Sequence, residues 1–122
     1  MQKILIATRN MGKFKELMEV LHGLPFQFVS LGDEKVDGDV HEHGQTYEEN
    51  AILKAEYFGK KAGLPTLADD SGIHVDALDG ELGVKTRRWG AGEKANDEEW
   101  LAHFLKRMER EANRQAEFLS VV

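Results

Sequence analysis

The chain has 122 residues, of which 41% are hydrophobic, enough for a single domain over residues 1–122 with a modest core. Charged residues make up 31% and leave a formal net charge of -6, which argues against a general nucleic-acid binder, because phosphate-backbone affinity rests on clustered Lys and Arg. The absence of cysteine excludes disulfides and thiolate metal sites, and no apolar run is long enough for a membrane span or a signal peptide, so the cytoplasm is the expected compartment.

In chain order, Lys3 to Ala7 is a short β-rich run, followed by the polar loop Thr8-Arg9-Asn10-Met11-Gly12. Phe14, Leu17, Met18 and Leu21 then recur at helical spacing, so the start reads as strand, loop, helix. Phe26 to Leu31 is a second strand candidate, and the polar, glycine-rich stretch from Gly32 to Gly44 reads as an excursion or a short hairpin. Thr46 and Glu49 form a capping-box pattern ahead of Ala51, Ala55, Phe58 and Ala62, a helical face that Gly63-Leu64-Pro65 ends.

Thr66 to Ala68 reads as the end of a strand, Asp69-Asp70-Ser71-Gly72 as a turn, and Ile73, Val75 and Ala77 as the apolar side of a further strand. A glycine-rich segment runs to Gly92. Asn96 and Glu99 then cap a helix whose apolar face is Trp100, Leu101, Phe104, Leu105 and Met108. Ala116 to Val122 has an apolar strand pattern with no turn or polar tail after it, so further chain is expected to follow. Internal repeats and low-complexity linkers are absent.

Several of these residues carry chemistry. The loop Thr8-Arg9-Asn10-Met11-Gly12-Lys13 precedes a helix, where free N–H groups and the helix dipole favour an anion; it is either that or an ordinary turn, and it lacks the glycine spacing of a P-loop. The adjacent Asp69 and Asp70 repel one another, which suits a cation such as Mg2+ or a proton transfer; the plain alternative is a solvated acidic turn. Glu42 is a third carboxylate or an ordinary exposed glutamate. Lys54 lies close to the buried face of its helix and either snorkels or meets an anion. His41 and His43 read as surface residues, Arg87 and Arg88 as phosphate ligands or solvated charges, and Trp89 and Trp100 as packing. Together these residues make an inventory suited to metal and polyphosphate.

The order of motifs resembles one family. Ala7-Thr8-Arg9-Asn10-Met11-Gly12-Lys13 through Glu16 leads to Glu42 and Gly44, then to Thr46 with Glu49-Asn50-Ala51 through Lys54-Ala55. Ala68-Asp69-Asp70-Ser71-Gly72, Val75-Asp76-Ala77-Leu78 and Gly80 follow in register. This succession, from residue 2 to the C-terminus, is similar to that of the inosine/xanthosine triphosphate pyrophosphatases. The resemblance implies that Thr8, Asn10, Lys13 and Lys54 bind triphosphate and that Ser71 and Gly72 contact the ligand. It implies that Glu42 and Asp70 hold Mg2+, and that Asp70 with Asp69 positions or deprotonates the attacking water.

The implied fold is α/β, a mixed twisted sheet flanked by helices, lacking the C-terminal part of the family fold. The implied activity is hydrolysis of deaminated purine nucleoside triphosphates (ITP, dITP, XTP) to the monophosphate and pyrophosphate, in a homodimer. Two departures stand out. The segment Glu81-Leu82-Gly83-Val84-Lys85-Thr86-Arg87-Arg88 replaces a pattern that usually has a proline before the glycine and ends in Ser-Ala-Arg, so Arg87 or Arg88 must supply that arginine. The family also continues past Val122 into Phe-Gly-x-Asp-Pro and Ser-His-Arg motifs that help to bind the base. The alternatives to an enzyme are a nucleotide- or phosphate-binding fragment without useful turnover, and an interaction fragment that pairs through its terminal strand.

Overall fold

A computed structural model describes residues 1–122 apart from Ala91 and Glu93. Ala91, within the glycine-rich segment, therefore lies outside the described residues. The α/β class expected from the sequence is observed, and its contacts divide the chain into two compact units, Met1–Asp70 with Val121–Val122, and Ser71–Ser120.

In the first unit the apolar run at the N-terminus forms β1 (Lys3–Ile6), which lies between β2 (Gln27–Ser30) and β3 (Thr66–Leu67) in a three-stranded sheet. Both pairings are parallel: Ile6 stands opposite Ser30 on one side and Leu67 on the other. A central parallel strand is covered on both faces, which is why Leu5 and Ile6 are both buried instead of alternating with polar residues. Two helices serve this sheet. The first, α1 (Met11–Val20), is capped by Asn10 and keeps Phe14, Leu17 and Met18 only half-buried.

The second, α2 (Tyr47–Ala62), has the stronger signals: Thr46 at its N-cap, Glu48 and Glu49 in the first turn, Lys60 and Lys61 in the last, and Gly63 closing it with a positive φ of 67°. The capping box is only half made. The Thr46 hydroxyl accepts from Glu49 N, but the Glu49 carboxylate accepts from Gln45 N, one residue earlier than the motif demands. Phe58 of α2 packs with Leu5, Ala7, Val29, Leu31, Val36 and Ala68 as the core of this unit. The stretch from 32 to 44 is an excursion without strand, so the hairpin alternative is not realised.

The second unit contains β4 (Asp70–Val75, whose first residue closes the first unit), α3 (Asp97–Met108) and β5 (Ala116–Val121). Two short 3-10 helices lie between β4 and α3, at Asp76–Leu78 and Gly83–Arg88. β4 pairs with β5. That pairing corrects the reading of Asp69-Asp70-Ser71-Gly72 as a turn: only Ala68 and Asp69 separate β3 from β4, and Asp70, Ser71 and Gly72 are already strand. Ala77, expected on the same strand, instead lies in a 3-10 helix.

α3 has the full capping box between Asn96 and Glu99. Its inner face is narrower than its apolar stripe. Met108, Trp100 and Phe104 pack with Val75, Leu78 and Leu82, whereas Leu101 and Leu105 are exposed. Trp89 and Trp100 are packing residues, with Trp100 stacked on Phe104 at 5.2 Å between ring centres.

Candidate functional site

The parallel register of the first sheet delivers three chain segments to one edge, because parallel strands all end on the same side. β1 runs into the Thr8–Lys13 loop, β2 into the excursion that carries Glu42, and β3 into Asp69 and Asp70. Ligands of open α/β sheets bind at such carboxyl ends.

The Thr8 to Lys13 loop is held by its own polar groups. Asn10 Oδ1 accepts from Gly12 N at 2.9 Å and Lys13 N at 3.2 Å, and Thr8 Oγ1 accepts from Asn10 N at 3.1 Å. The cap thus uses two of the N–H groups that an anion would otherwise meet at this helix end. What the loop offers an anion is the Thr8 hydroxyl proton, the Asn10 amide N–H groups and the Lys13 ammonium.

Behind the loop, charges of opposite sign are interleaved. Lys13 Nζ lies 2.9 Å from Asp69 Oδ2, and Lys54 Nζ lies 3.0 Å from Glu42 Oε1 and 3.9 Å from Asp70 Oδ1. Asp69 and Asp70 are each 6% exposed, which rules out the solvated acidic turn. Lys54, 15% exposed along its side chain, meets anions instead of snorkelling to water. Burial pushes the Asp70 carboxyl above its ordinary value; the hydrogen bond from Asn50 opposes this, the negative charge of Glu42 adds to it, and Lys54 and Lys13 oppose it. Three carboxylates face two lysines here, so the cluster favours an added cation.

A magnesium ion fits the donor set. Mg2+ ordinarily takes one or two carboxylates and completes its shell with water and phosphate oxygens. Glu42 and Asp70 are close enough for the charge of one to shift the other, and both already converge on the Lys54 cation. Among the described residues no three His, Asp or Glu side chains close into an all-protein metal cage.

Three residues of this region carry parts that the sequence reading did not give them. Arg9, inside the loop motif, turns away from it: its guanidinium donates to Val36 O at 2.8 Å and Gly38 O at 2.7 Å, and lies 5.4 Å from the centre of the Phe58 ring. It therefore pins the excursion to the core. Tyr47 has its hydroxyl pushed above the ordinary value by burial and then by the charge of Asp70. Asn50 is 1% exposed and bonds on both sides of the cluster, to Gly44 N and to Asp70 Oδ2. The legible signal for Asn50 was its spacing: four residues before Lys54 and one before Ala51, it shares the inward face of α2.

Ser71 and Gly72 are not part of this charge cluster as described. They belong to the second unit, where they line a cavity of about 390 Å³ together with Ile73, Thr86, Trp100 and Phe118. Trp100 Nε1 donates to Thr86 O at 2.7 Å and the Arg87 guanidinium donates to Ala95 O, so Arg87 is tied to backbone. His41 and His43 are exposed, with ring centres 6.0 Å apart. No helix among the described residues is long and apolar enough to cross a membrane.

The sequence model of the Ham1 family matches residues 4–122. The chain belongs to the Ham1 family. A dITP/XTP pyrophosphatase from Geobacter sulfurreducens is 48% identical over 109 residues, which is 89% of this chain and 54% of that protein. A dITP/XTP pyrophosphatase from Deinococcus deserti is 43% identical over 121 residues, 99% of this chain and 56% of that protein. The chain thus spans little more than half the length of these Ham1 relatives. Among solved structures, a HAM1 protein from Coxiella burnetii superposes with a TM-score of 0.82 at 38% identity, covering 99% of this chain and 61% of that one. The Staphylococcus aureus Ham1 protein gives a TM-score of 0.76 at 36% identity, covering 98% and 60%. The Ham1 fold is therefore reproduced over nearly the whole of this chain.

Proposed function

We propose that the chain carries the polyphosphate and metal half of a nucleoside triphosphate pyrophosphatase that converts deaminated purine nucleotides (ITP, dITP, XTP) to the monophosphate and pyrophosphate. The observation that carries this reading is the charge cluster at the sheet edge, where Lys13 and Lys54 are each held by carboxylates at 2.9 and 3.0 Å. Relatives that are dITP/XTP pyrophosphatases suggest the substrate class.

In this proposal an arriving triphosphate exchanges partners with the cluster. Lys13 and Lys54 leave their carboxylates for phosphate oxygens, and the Thr8 hydroxyl and Asn10 amide donate to the same chain of phosphates. Asp69, Asp70 and Glu42, freed of their lysines, present a concentrated negative site. Mg2+, held by Glu42 and Asp70, would supply charge compensation for the departing pyrophosphate. Asp70 accepts the proton of the attacking water as the new P–O bond forms at the α-phosphate and the bond to the β-phosphate breaks, and pyrophosphate leaves.

The test is pyrophosphate release from dITP and XTP with Mg2+, alongside calorimetric binding of the same nucleotides. Release of stoichiometric monophosphate and pyrophosphate is expected. Binding without release would leave the phosphate-binding fragment as the correct reading, and neither binding nor thermal protection by a folded sample would sink both. The proposal extends to a cytoplasmic homodimer; sedimentation velocity checks the assembly, a monomer at micromolar concentration being the contrary outcome.

A further inference from the structure

We infer that Asn50 is a positioning residue for the hydrolytic site, setting the Glu42 loop and the Asp70 carboxylate against one another through a single side-chain amide. The inference rests on the catalytic reading of Asp70 given above. Asn50 sits in the first turn of α2, 1% exposed, and both ends of its amide are used. Oδ1 accepts from Gly44 N at 2.8 Å, and Nδ2 donates to Asp70 Oδ2 at 3.2 Å.

The two partners lie on different chain segments, the excursion after β2 and the start of β4. Gly44 is two residues beyond Glu42, so the bond to its N–H fixes the end of the excursion that carries that carboxylate. The contact is close: a Cβ on Gly44 would stand 2.6 Å from Asn50 Oδ1 and 2.8 Å from Glu49 Cβ, so only glycine leaves room for it. At the other end, the bond to Oδ2 sets the rotation of the Asp70 carboxylate and leaves Oδ1 as the oxygen that faces Lys54, at 3.9 Å. Oδ1 is then the atom presented when Lys54 moves to phosphate.

The residue type follows from the surroundings. The position needs one donor and one acceptor on a short side chain, without charge, because carboxylates already outnumber lysines around it. Aspartate has the right shape but replaces the donor with a further negative charge against Asp70. Leucine fills the space and leaves both Gly44 N–H and Asp70 Oδ2 without this partner.

Asn50→Asp, compared with the unaltered chain, is the decisive variant. Supporting groups of this kind typically cost about 10- to 100-fold when removed. The expected result is a loss of that size in kcat for pyrophosphate release with KM changed less than about threefold, since the phosphate-binding lysines and loop are untouched. A purely structural role would lower the amount of folded protein and leave kcat per folded molecule unchanged. Gly44→Ala perturbs the same amide from the excursion and should reproduce the kcat-selective loss even if Asn50→Asp does not fold.

A second readout needs neither metal nor turnover: in the metal-free protein, Asn50→Ala should speed hydrogen exchange at the Gly44 amide at least tenfold while exchange at Leu5 in the central strand stays within about twofold. Normal kcat in either folded variant, or unchanged exchange at Gly44, overturns the inference. If the unaltered chain releases no pyrophosphate, the proposed function fails by itself, and the Gly44 exchange still decides whether Asn50 holds the excursion.

Discussion

Asp70→Asn should cut pyrophosphate release by about 10²- to 10⁴-fold, the range ordinarily lost with a general base, and at the same time make the metal-free protein more resistant to heat at neutral pH. Both effects come from one carboxylate. Asp70 is 6% exposed, and burial is the largest influence on its proton affinity; together with the Glu42 charge it outweighs the Asn50 hydrogen bond and the Lys54 and Lys13 charges. The folded protein therefore binds this proton more tightly than the unfolded chain does. By linkage, the stability that Asp70 contributes is fully present below its ordinary value of 3.8 and is lost as pH rises through the higher folded value. At neutral pH the ionised group is a cost that an amide avoids, and the amide oxygen still accepts from Asn50 Nδ2.

The gain in thermal midpoint from Asp70→Asn should thus be largest near neutrality and shrink as pH falls through that window. Differential scanning calorimetry across pH 3 to 8, paired with a release assay at saturating Mg2+, checks both parts. Near-normal release would remove Asp70 from the chemistry, and a lower midpoint at neutral pH would show that its ion pair with Lys54 outweighs its burial.

The parts of this protein that were legible in its sequence are those set by neighbours along the chain. Thr46 and Asn96 announce two helix starts because a cap is satisfied within three residues, whereas Asn10, read as loop, proves to cap α1. Gly63 ends α2 for an equally local reason, its left-handed backbone. The pairings at the site are of another kind. Asn50 meets Asp70 twenty residues away, Arg9 meets Gly38 twenty-nine residues away, and neither partnership has a periodic signature.

The family resemblance named Lys13, Lys54, Glu42 and Asp70 but could not say that, without a ligand, the lysines rest on the carboxylates. Where local reading failed, a tertiary partner had overridden it. Ser71 and Gly72 look like a turn in isolation and become strand because β5 pairs with β4. Leu101 and Leu105 continue the apolar stripe of α3, but the core of the second unit takes only Trp100, Phe104 and Met108 from that helix.

The second large effect is expected at Lys54. Three residues after Ala51 and four before Phe58, both buried, its side chain rises from the inner face of α2 into the gap between Glu42 and Asp70. Lys54→Met keeps the apolar stem and removes only the charge, so what is lost is the cation between two carboxylates. Breaking a fully buried pair costs about 3–5 kcal/mol; Glu42 is 38% exposed here and can turn to water, so a loss of about 1–3 kcal/mol is expected. The Asp70 carboxyl, no longer opposed by Lys54, should move further up.

Turnover should suffer more than stability. In the proposed reaction the same ammonium reaches the phosphates, and losing one positioned electrostatic donor typically costs about 10²- to 10³-fold in rate. If Lys54 acts on bound phosphate as well as on the developing charge, as proposed, KM should rise and kcat fall together, unlike the kcat-selective loss at Asn50. Lys54→Arg should restore the stability but little of the rate, since a planar guanidinium is bulkier and spreads its charge over a fork that the narrow gap does not match. Steady-state kinetics with dITP and thermal melts on both variants separate these outcomes. Release by Lys54→Met within tenfold of the unaltered chain would mean that Lys54 serves only to neutralise Glu42 and Asp70, and that Lys13 with the Thr8 loop grips the triphosphate alone.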